Sequence, residues 1–166
     1  MLTIHHVRTE AEADAIRALV PHYIDWLLTR YADHADTIRG YFVVQDLDGQ
    51  MRDLLTRFAP PAADCLLARR DGVPVGMVMV KRCDDTTCEM NRMFVSDTAR
   101  GQGVGRALVA ELVTTARNLG YTRMQLAAGG RHDEAIGLYR SMGFVEDRSV
   151  ANTGGKELEY PMSLVL

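Results

Sequence analysis

Residues 100–106 read Arg100-Gly101-Gln102-Gly103-Val104-Gly105-Arg106, and the reading of this stretch decides the fold. Three glycines at alternate positions leave no Cβ to hinder the close approach of a ligand. The stretch opens the best amphipathic helix of the chain, with Val104, Ala107, Leu108, Leu112, Ala116 and Leu119 spaced three and four apart. Gly120 follows as its stop. A helix N-terminus behind a glycine turn presents unpaired N–H donors, which suit an anion, most naturally a phosphate or pyrophosphate. A tight turn with a purely structural role is the other reading of the same residues. The dinucleotide spacing G-x-G-x-x-G finds no third glycine from any start, and no Gly-Lys-Ser/Thr occurs for a Walker A loop. Nor does the loop follow the first strand of the chain, as both nucleotide folds require.

Upstream of the loop the pattern is that of strands. Cys65–Arg69 and Val75–Val80 flank Asp71-Gly72, a strong hairpin dipeptide. A second turn, Asp84-Asp85-Thr86-Thr87, leads into a run from Cys88 to Val95 whose latter half alternates imperfectly. Before these, Leu2–Arg8 reads as a first strand, and Thr9-Glu10-Ala11-Glu12 as a helix start. Ala13, Ile16, Leu19 and Val20 give that helix one apolar side, and Pro21 is expected to break or restart it, with a second piece from His22 to Tyr31. Asp33–Asp46 has no decisive pattern, and a helix from about Leu47 to Phe58 is stopped by Pro60-Pro61. The aromatic-rich stretch from Tyr23 to Phe58 is expected to wall a pocket. Downstream of the loop helix come a strand over Tyr121–Ala127, a short helix over Asp133–Ser141 ended by Gly143, extended structure at Phe144-Val145-Glu146, and a last strand from Lys156 to Leu166. No repeat or linker interrupts the chain, so residues 1–166 read as a single mixed α/β domain of the α+β type.

Composition sets the outer limits. The 166 residues are 47% hydrophobic and 25% charged, an ordinary globular balance. A net charge of −3 argues against a nucleic-acid groove. No apolar run approaches the length of a membrane span, and Arg8, Glu10, Glu12, Asp14 and Arg17 break any signal-peptide pattern. Cys65, Cys83 and Cys88 lack CxxC spacing, which points to neither a disulfide framework nor a zinc site. Cys83 and Cys88 flank the second turn and either face each other or remain free thiols. His5, His6, His22 and His34 have no metal-ligand spacing, so no metal is expected. The expected compartment is the cytoplasm.

Arg100-x-x-Gly103-x-Gly105 resembles the R/Q-x-x-G-x-G/A signature of the GNAT superfamily of acyl-CoA-dependent N-acyltransferases. Arg92-Met93-Phe94-Val95 before it, and Ala135-Ile136-Gly137-Leu138-Tyr139-Arg140-Ser141-Met142-Gly143-Phe144 after it, are similar to two further hallmarks, the latter to A-x-x-L-Y-x-x-x-G-F. The likeness is strong over about Leu66–Phe144, weak before, and architectural after.

The resemblance implies a GNAT fold: a central mixed, mostly antiparallel twisted sheet of about 6–7 strands flanked by about 4–5 helices, splayed between strands 4 and 5. It implies acetyl-CoA as co-substrate, with the pyrophosphate on backbone N–H groups of Gly101, Gln102, Gly103, Val104, Gly105 and Arg106, and with charge from Arg100 and Arg106. The pantetheine arm would pair with the backbone of Met93, Phe94 and Val95, next to a bulge that opens a slot for the thioester. Tyr139 aligns with the family's general-acid tyrosine; a packed tyrosine is the alternative. Glu89 lies six residues before Val95, so in a regular strand both face one side, as does the base glutamate of the protein-lysine branch. An ordinary exposed carboxylate is the other reading. His132 stands where many members carry an asparagine. Three readings stay open for it: a pantetheine contact through a ring nitrogen, an acceptor-side base near neutral pH, or a surface histidine of the Gly129-Gly130-Arg131 loop.

The activity implied is transfer of an acetyl group to a primary amine of a small molecule or peptide by direct attack in a ternary complex, since no cysteine lies in a nucleophile constellation. A non-catalytic coenzyme A-binding sensor is the rival class. Neither nucleic acid nor membrane is an expected partner, and a homodimer is compatible with the family. Acceptor choice is assigned to Tyr23–Phe58, to Gly129–His132 and to Arg148–Gly155.

Overall fold

Adjacent apolar residues of one strand feed opposite layers of the molecule, and that sets its architecture. In a computed structural model describing residues 1–150 and 158–166, Leu66 and Leu67 are both wholly buried, one on each face of a sheet. The chain runs β1 (Leu2–His6), α1 (Glu10–Arg30), a 3-10 turn at Ala32–His34, α2 (Ala35–Val44), α3 (Leu47–Arg52), α4 (Leu54–Arg57), β2 (Asp64–Arg70), β3 (Val73–Arg82) and β4 (Thr87–Val95). It continues through α5 (Val104–Asn118), β5 (Arg123–Ala128), α6 (Asp133–Ser141), β6 (Val145–Glu146) and β7 (Tyr160–Val165). The seven strands form one sheet in the order β1-β2-β3-β4-β5-β7-β6, antiparallel throughout except for β4 beside β5. On one face Leu66, Val78, Val80, Cys88 and Met90 pack with Leu108 and Leu112 of α5 and Ile136 of α6. On the other, Leu67, Met77, Met79 and Phe94 pack with Ile16 and Leu19 of α1 and Leu54 of α4. Among the described residues no helix is long and apolar enough to cross a membrane.

Most local signals produce the expected elements. Asp71 and Gly72 both take positive φ, 49° and 83°, as a two-residue hairpin turn between β2 and β3 requires. The capping box is present at Thr9, whose hydroxyl accepts from the Glu12 N–H while the Glu12 carboxylate accepts from the Thr9 N–H.

Two expectations are corrected, and two open readings are decided. α1 runs unbroken through Pro21. An interior proline costs about 3 kcal/mol, and here both halves are pinned: Ala13, Ile16, Leu19 and Val20 are buried, and Tyr23 meets Phe42 and Phe94 edge-on at 6.0 Å each. The helix expected over Leu47–Phe58 is divided at Asp53, whose backbone leaves helical values and whose carbonyl accepts from both the N–H and the hydroxyl of Thr56. The undecided stretch before it is α2. Of the two readings for Cys83 and Cys88, the free thiols hold, and the pair do not face each other. The Cys83 sulfur lies 3.5 Å from Gln125 Nε2, while Cys88 is buried with its sulfur on the Arg123 carbonyl. Part of the acceptor segment assigned to Arg148–Gly155, and the start of the last strand at Lys156, lie outside the described residues.

Two irregularities prepare the site. β4 and β5 pair only from Thr87–Arg123 to Glu89–Gln125, then part, although β4 runs on to Val95 and β5 to Ala128. Against β3, Met77 pairs with Phe94 but Met79 with Asn91, so Val78 faces both Arg92 and Met93. Arg92 is the extra residue, at φ 50°.

Candidate active site

The glycine loop meets α5 without a side-chain cap. Gly103 is the N-cap residue at φ 81°, and among the described residues no side chain bonds the first-turn N–H groups. A Cβ built on Gly101 or Gly103 would meet nothing within 4 Å, so the open side of the loop is space for a ligand. Gly105 is different. A Cβ there would lie 3.1 Å from Met93 Cε and 3.3 Å from Leu138 Cδ2, so this glycine lets α5 sit close on β4 and α6. Val104 is buried in the core and faces the loop through its backbone alone. Gln102 bonds the Thr98 carbonyl through its side chain.

The two loop arginines are tied rather than free. Arg100 donates through Nε to the Val95 carbonyl at 3.0 Å, pairs with Asp97 at 2.5 Å, and lies 4.8 Å over the Trp26 ring. Arg106 donates to the Ser141 hydroxyl at 2.7 Å and so joins α5 to α6. A groove runs past these residues along Met93, Phe94 and Val95 to Ala135 and Leu138.

The bulge redistributes the side chains of β4. Met93 and Val95 pack toward α5, whereas Phe94 is buried on the α1 side against Tyr23 and Trp26. Met90 also points to the α5 side, which puts Glu89 and Asn91 on the α1 side. Glu89 and Val95 therefore occupy opposite faces, contrary to the even-offset expectation, because the extra residue at Arg92 reverses the alternation. Glu89 accepts from Asn91 Nδ2 at 3.3 Å and stands 3.9 Å from Lys81 Nζ.

Tyr139 comes from α6 and is 5% exposed, its ring 5.8 Å from Phe144. Burial pushes its phenol far above the ordinary tyrosine range, with the nearby Tyr23 adding to the shift. His132 is no surface residue. It is 4% exposed, stacked on Trp26 at 4.3 Å and 8°, with Nε2 buried and unpartnered among the described residues. Burial, with Arg30 and Arg100 adding to it, brings its pKa down to about 4, so it is uncharged at neutral pH and a weak base there. That removes the surface reading and disfavours the neutral-pH base; a neutral ring nitrogen able to accept a hydrogen bond is what remains.

The aromatic segment does wall a pocket. Tyr23, Leu27, Tyr31, Ile38, Tyr41 and Phe42 line it, closed by Ala127 and Gly129 at the end of β5 and by Leu158 and Glu159. Sequence reasoning passed over Glu159 and Arg92. Arg92 is 8% exposed and donates to the side-chain oxygens of Gln45 at 3.2 Å and Gln50 at 2.6 Å. Burial lowers its pKa. Nothing in the spacing of Gln45, Gln50 and Arg92 signals this contact, since it exists only because of the bulge.

The sequence pattern described as Acetyltransferase (GNAT) family matches residues 18–144. The chain is 32% identical over 102 residues to an uncharacterized N-acetyltransferase, C1271.07c, of Schizosaccharomyces pombe, covering 60% of this chain and 63% of that protein. It is 32% identical over 115 residues to IAA acetyltransferase of Azospirillum brasilense, covering 63% and 75%. It thus spans less than two thirds of the length of the first relative and three quarters of the second. In fold it is similar to a PaiA N-acetyltransferase from Thermoplasma acidophilum solved in complex with coenzyme A, with a TM-score of 0.75 at 14% identity over 100% of this chain and 99% of that one.

Proposed function

The chain belongs to the GNAT acetyltransferase family, and from that premise we propose that it transfers an acetyl group from acetyl-CoA to a primary amine of a small molecule or peptide, by direct attack in a ternary complex. What carries this reading is one conjunction: an uncapped, glycine-flanked helix start opening on a groove beside the unpaired edge of β4. When bound, acetyl-CoA supplies the thioester that is cleaved. The backbone N–H groups of Gly101 to Arg106 hold the pyrophosphate, aided by the dipole of α5. Arg106 adds positive charge at the rim, and Arg100, already balanced by Asp97, orders the Val95 carbonyl and Trp26.

Beyond Glu89 the β5-facing edge of β4 has no strand partner among the described residues, so Met93, Phe94 and Val95 offer backbone donors and acceptors to an extended amide-bearing arm. Tyr139 holds the proton that the departing thiolate takes up, and its raised pKa keeps it in the donating form. Glu89, directly or through water, first takes a proton from the ammonium so that the neutral amine can attack. The second proton, released from nitrogen as the C–N bond forms, offsets the one that Tyr139 gives to the thiolate. His132, neutral and with a free Nε2, positions a donor on the arm or the acceptor rather than serving as base.

The test is thiol release from acetyl-CoA across a panel of amino acids, polyamines, arylalkylamines and peptides, run beside coenzyme A calorimetry. Binding together with release on at least one primary amine is the expected result. Binding with no release on any amine would leave a sensing module instead.

A further inference from the structure

The peptide that links Gln102 to Gly103 lies at the mouth of the groove, and its orientation decides whether the loop attracts or repels an anion. A trans peptide points its C=O and its N–H in opposite directions. With the carbonyl turned away from the groove, the Gly103 N–H faces the ligand. With the peptide turned over, a carbonyl oxygen faces it instead. Gly101 and Gly103 lie at φ 72° and 81°. Residues without a Cβ tolerate either orientation at little cost, so the loop alone sets this direction weakly.

A side chain from outside the loop acts on it. Arg70, the last residue of β2, donates from Nη2 to the Gln102 carbonyl at 3.3 Å, across 32 positions of sequence. Its Nε is buried, which fixes the guanidinium against the protein. The neighbouring Arg69 stays within its own hairpin and donates to the Gly72 carbonyl at 2.9 Å. The Gln102 side chain is tied as well, to the Thr98 carbonyl at 2.8 Å. Arg70 also works from a fixed base. β3, which follows its hairpin, is joined to the approach of the loop, because the Val75 carbonyl accepts from the Ser96 N–H at 2.8 Å.

We infer that Arg70 is a positioning residue for the coenzyme: by holding the Gln102 carbonyl it turns the Gly103 N–H toward the groove, ready for the pyrophosphate. This rests on the reading of the groove as the acetyl-CoA site, and it adds a residue that acts through the loop rather than on the ligand. Gly101, Gly103 and Val104 line the groove, and a carbonyl released among them would set an electronegative oxygen against the phosphates. A loop already turned the right way needs no reordering when the ligand arrives, so less of the interaction is lost to that cost. The effect is confined to the diphosphate end of the ligand and does not extend to the thioester.

Two ligands and one backbone signal test this. Calorimetry compares coenzyme A with dephospho-coenzyme A, which keeps the pyrophosphate and lacks the 3′-phosphate. Arg70→Met retains an unbranched stem and removes the donor. It should weaken both ligands by the same factor, about tenfold. In steady-state kinetics the loss should lie in KM for acetyl-CoA rather than in kcat. In the free variant the amide NMR signal of Gly103 should move while those of β5 and β7 stay in place. Arg70→Gln, which remains polar, serves where Arg70→Met does not fold, with the same results expected. A loss confined to coenzyme A would mean that Arg70 touches the 3′-phosphate itself, and overturns the proposal. So does a loss with the Gly103 signal unmoved, which is a charge acting at a distance, or with signals moved throughout the sheet, which is general damage. Unchanged affinity overturns it too. A wild-type protein that binds no coenzyme A overturns the acetyltransferase reading itself.

Discussion

Tyr139 and Asp64 are both buried polar residues, and they call for different measurements. Tyr139→Phe removes a proton donor but keeps the ring that packs on Phe144. Turnover should fall by about 100-fold where chemistry limits the rate, the scale of a general acid, while the affinity for acetyl-CoA holds; single-turnover kinetics beside calorimetry reads both. Unchanged turnover would remove Tyr139 from the chemistry. Glu89→Gln should lower turnover at neutral pH, with the defect shrinking as the pH approaches the pKa of the acceptor amine, because solvent then supplies free amine. A defect constant across that pH–rate profile would mean positioning instead.

Asp64, 2% exposed, accepts from Arg8 at 2.7 and 2.8 Å, from His6 Nδ1 at 3.0 Å and from the Cys65 N–H at 2.8 Å. Burial works to raise its pKa, and Arg8, His6 and the Cys65 N–H together outweigh burial and hold it below the usual value. A folded pKa below the unfolded one means stability that is present above about pH 4 and lost as pH falls through the folded value. Asp64→Asn should therefore cost about 2 kcal/mol at pH 7, with urea unfolding showing the gap to wild type closing toward pH 3.

At the scale of elements, the start of α5 and the bulge of β4 respond differently to change. Gly103→Val forces a β-branched residue to φ 81° and puts its side chain into the open loop. Coenzyme A affinity should fall by more than about tenfold with far-UV circular dichroism retained; wild-type affinity in a folded variant would refute the anion site. Gly105→Ala instead crowds Met93 and Leu138, so its first effect belongs to stability.

The same contrast explains what was legible beforehand. The glycine turn, the Asp71-Gly72 hairpin and the helix at Asp133–Ser141 are written in residues a few positions apart. The unbroken α1 is not, because the contacts that hold Pro21 in place come from Phe42 and Phe94, distant in sequence. The side taken by Glu89 was hidden for a subtler reason. The alternation of apolar residues does lapse at Asn91-Arg92 and Met93-Phe94-Val95, but a strand covered on both faces gives the same lapse, so it does not by itself mark an extra residue or an exchange of faces.

Across the whole molecule, the two apolar layers share one sheet, and β2 contributes to both through consecutive residues. Neither layer can be lost without stripping the other of its wall. Far-UV circular dichroism and the fluorescence of Trp26, the single tryptophan, should therefore report one coincident thermal transition, and coenzyme A should raise its midpoint. Two separated transitions would mean that the α1 layer melts by itself. At this scale the sequence announced the layers and an aromatic pocket, but not that Glu159 would close it, since that contact depends on how β7 returns beside β5.

The extra residue at Arg92 has an evolutionary corollary. In the terms of a periodic signal it is a half-period phase slip, and the two halves of β4 oscillate in antiphase about it. Deleting one codon there would preserve the reading frame and bring the halves back into phase, sending Glu89 and Asn91, or else Met93 and Val95, through to the other side of the sheet. Substitution can alter this strand by degrees, whereas a change of length by one residue exchanges its faces at a stroke.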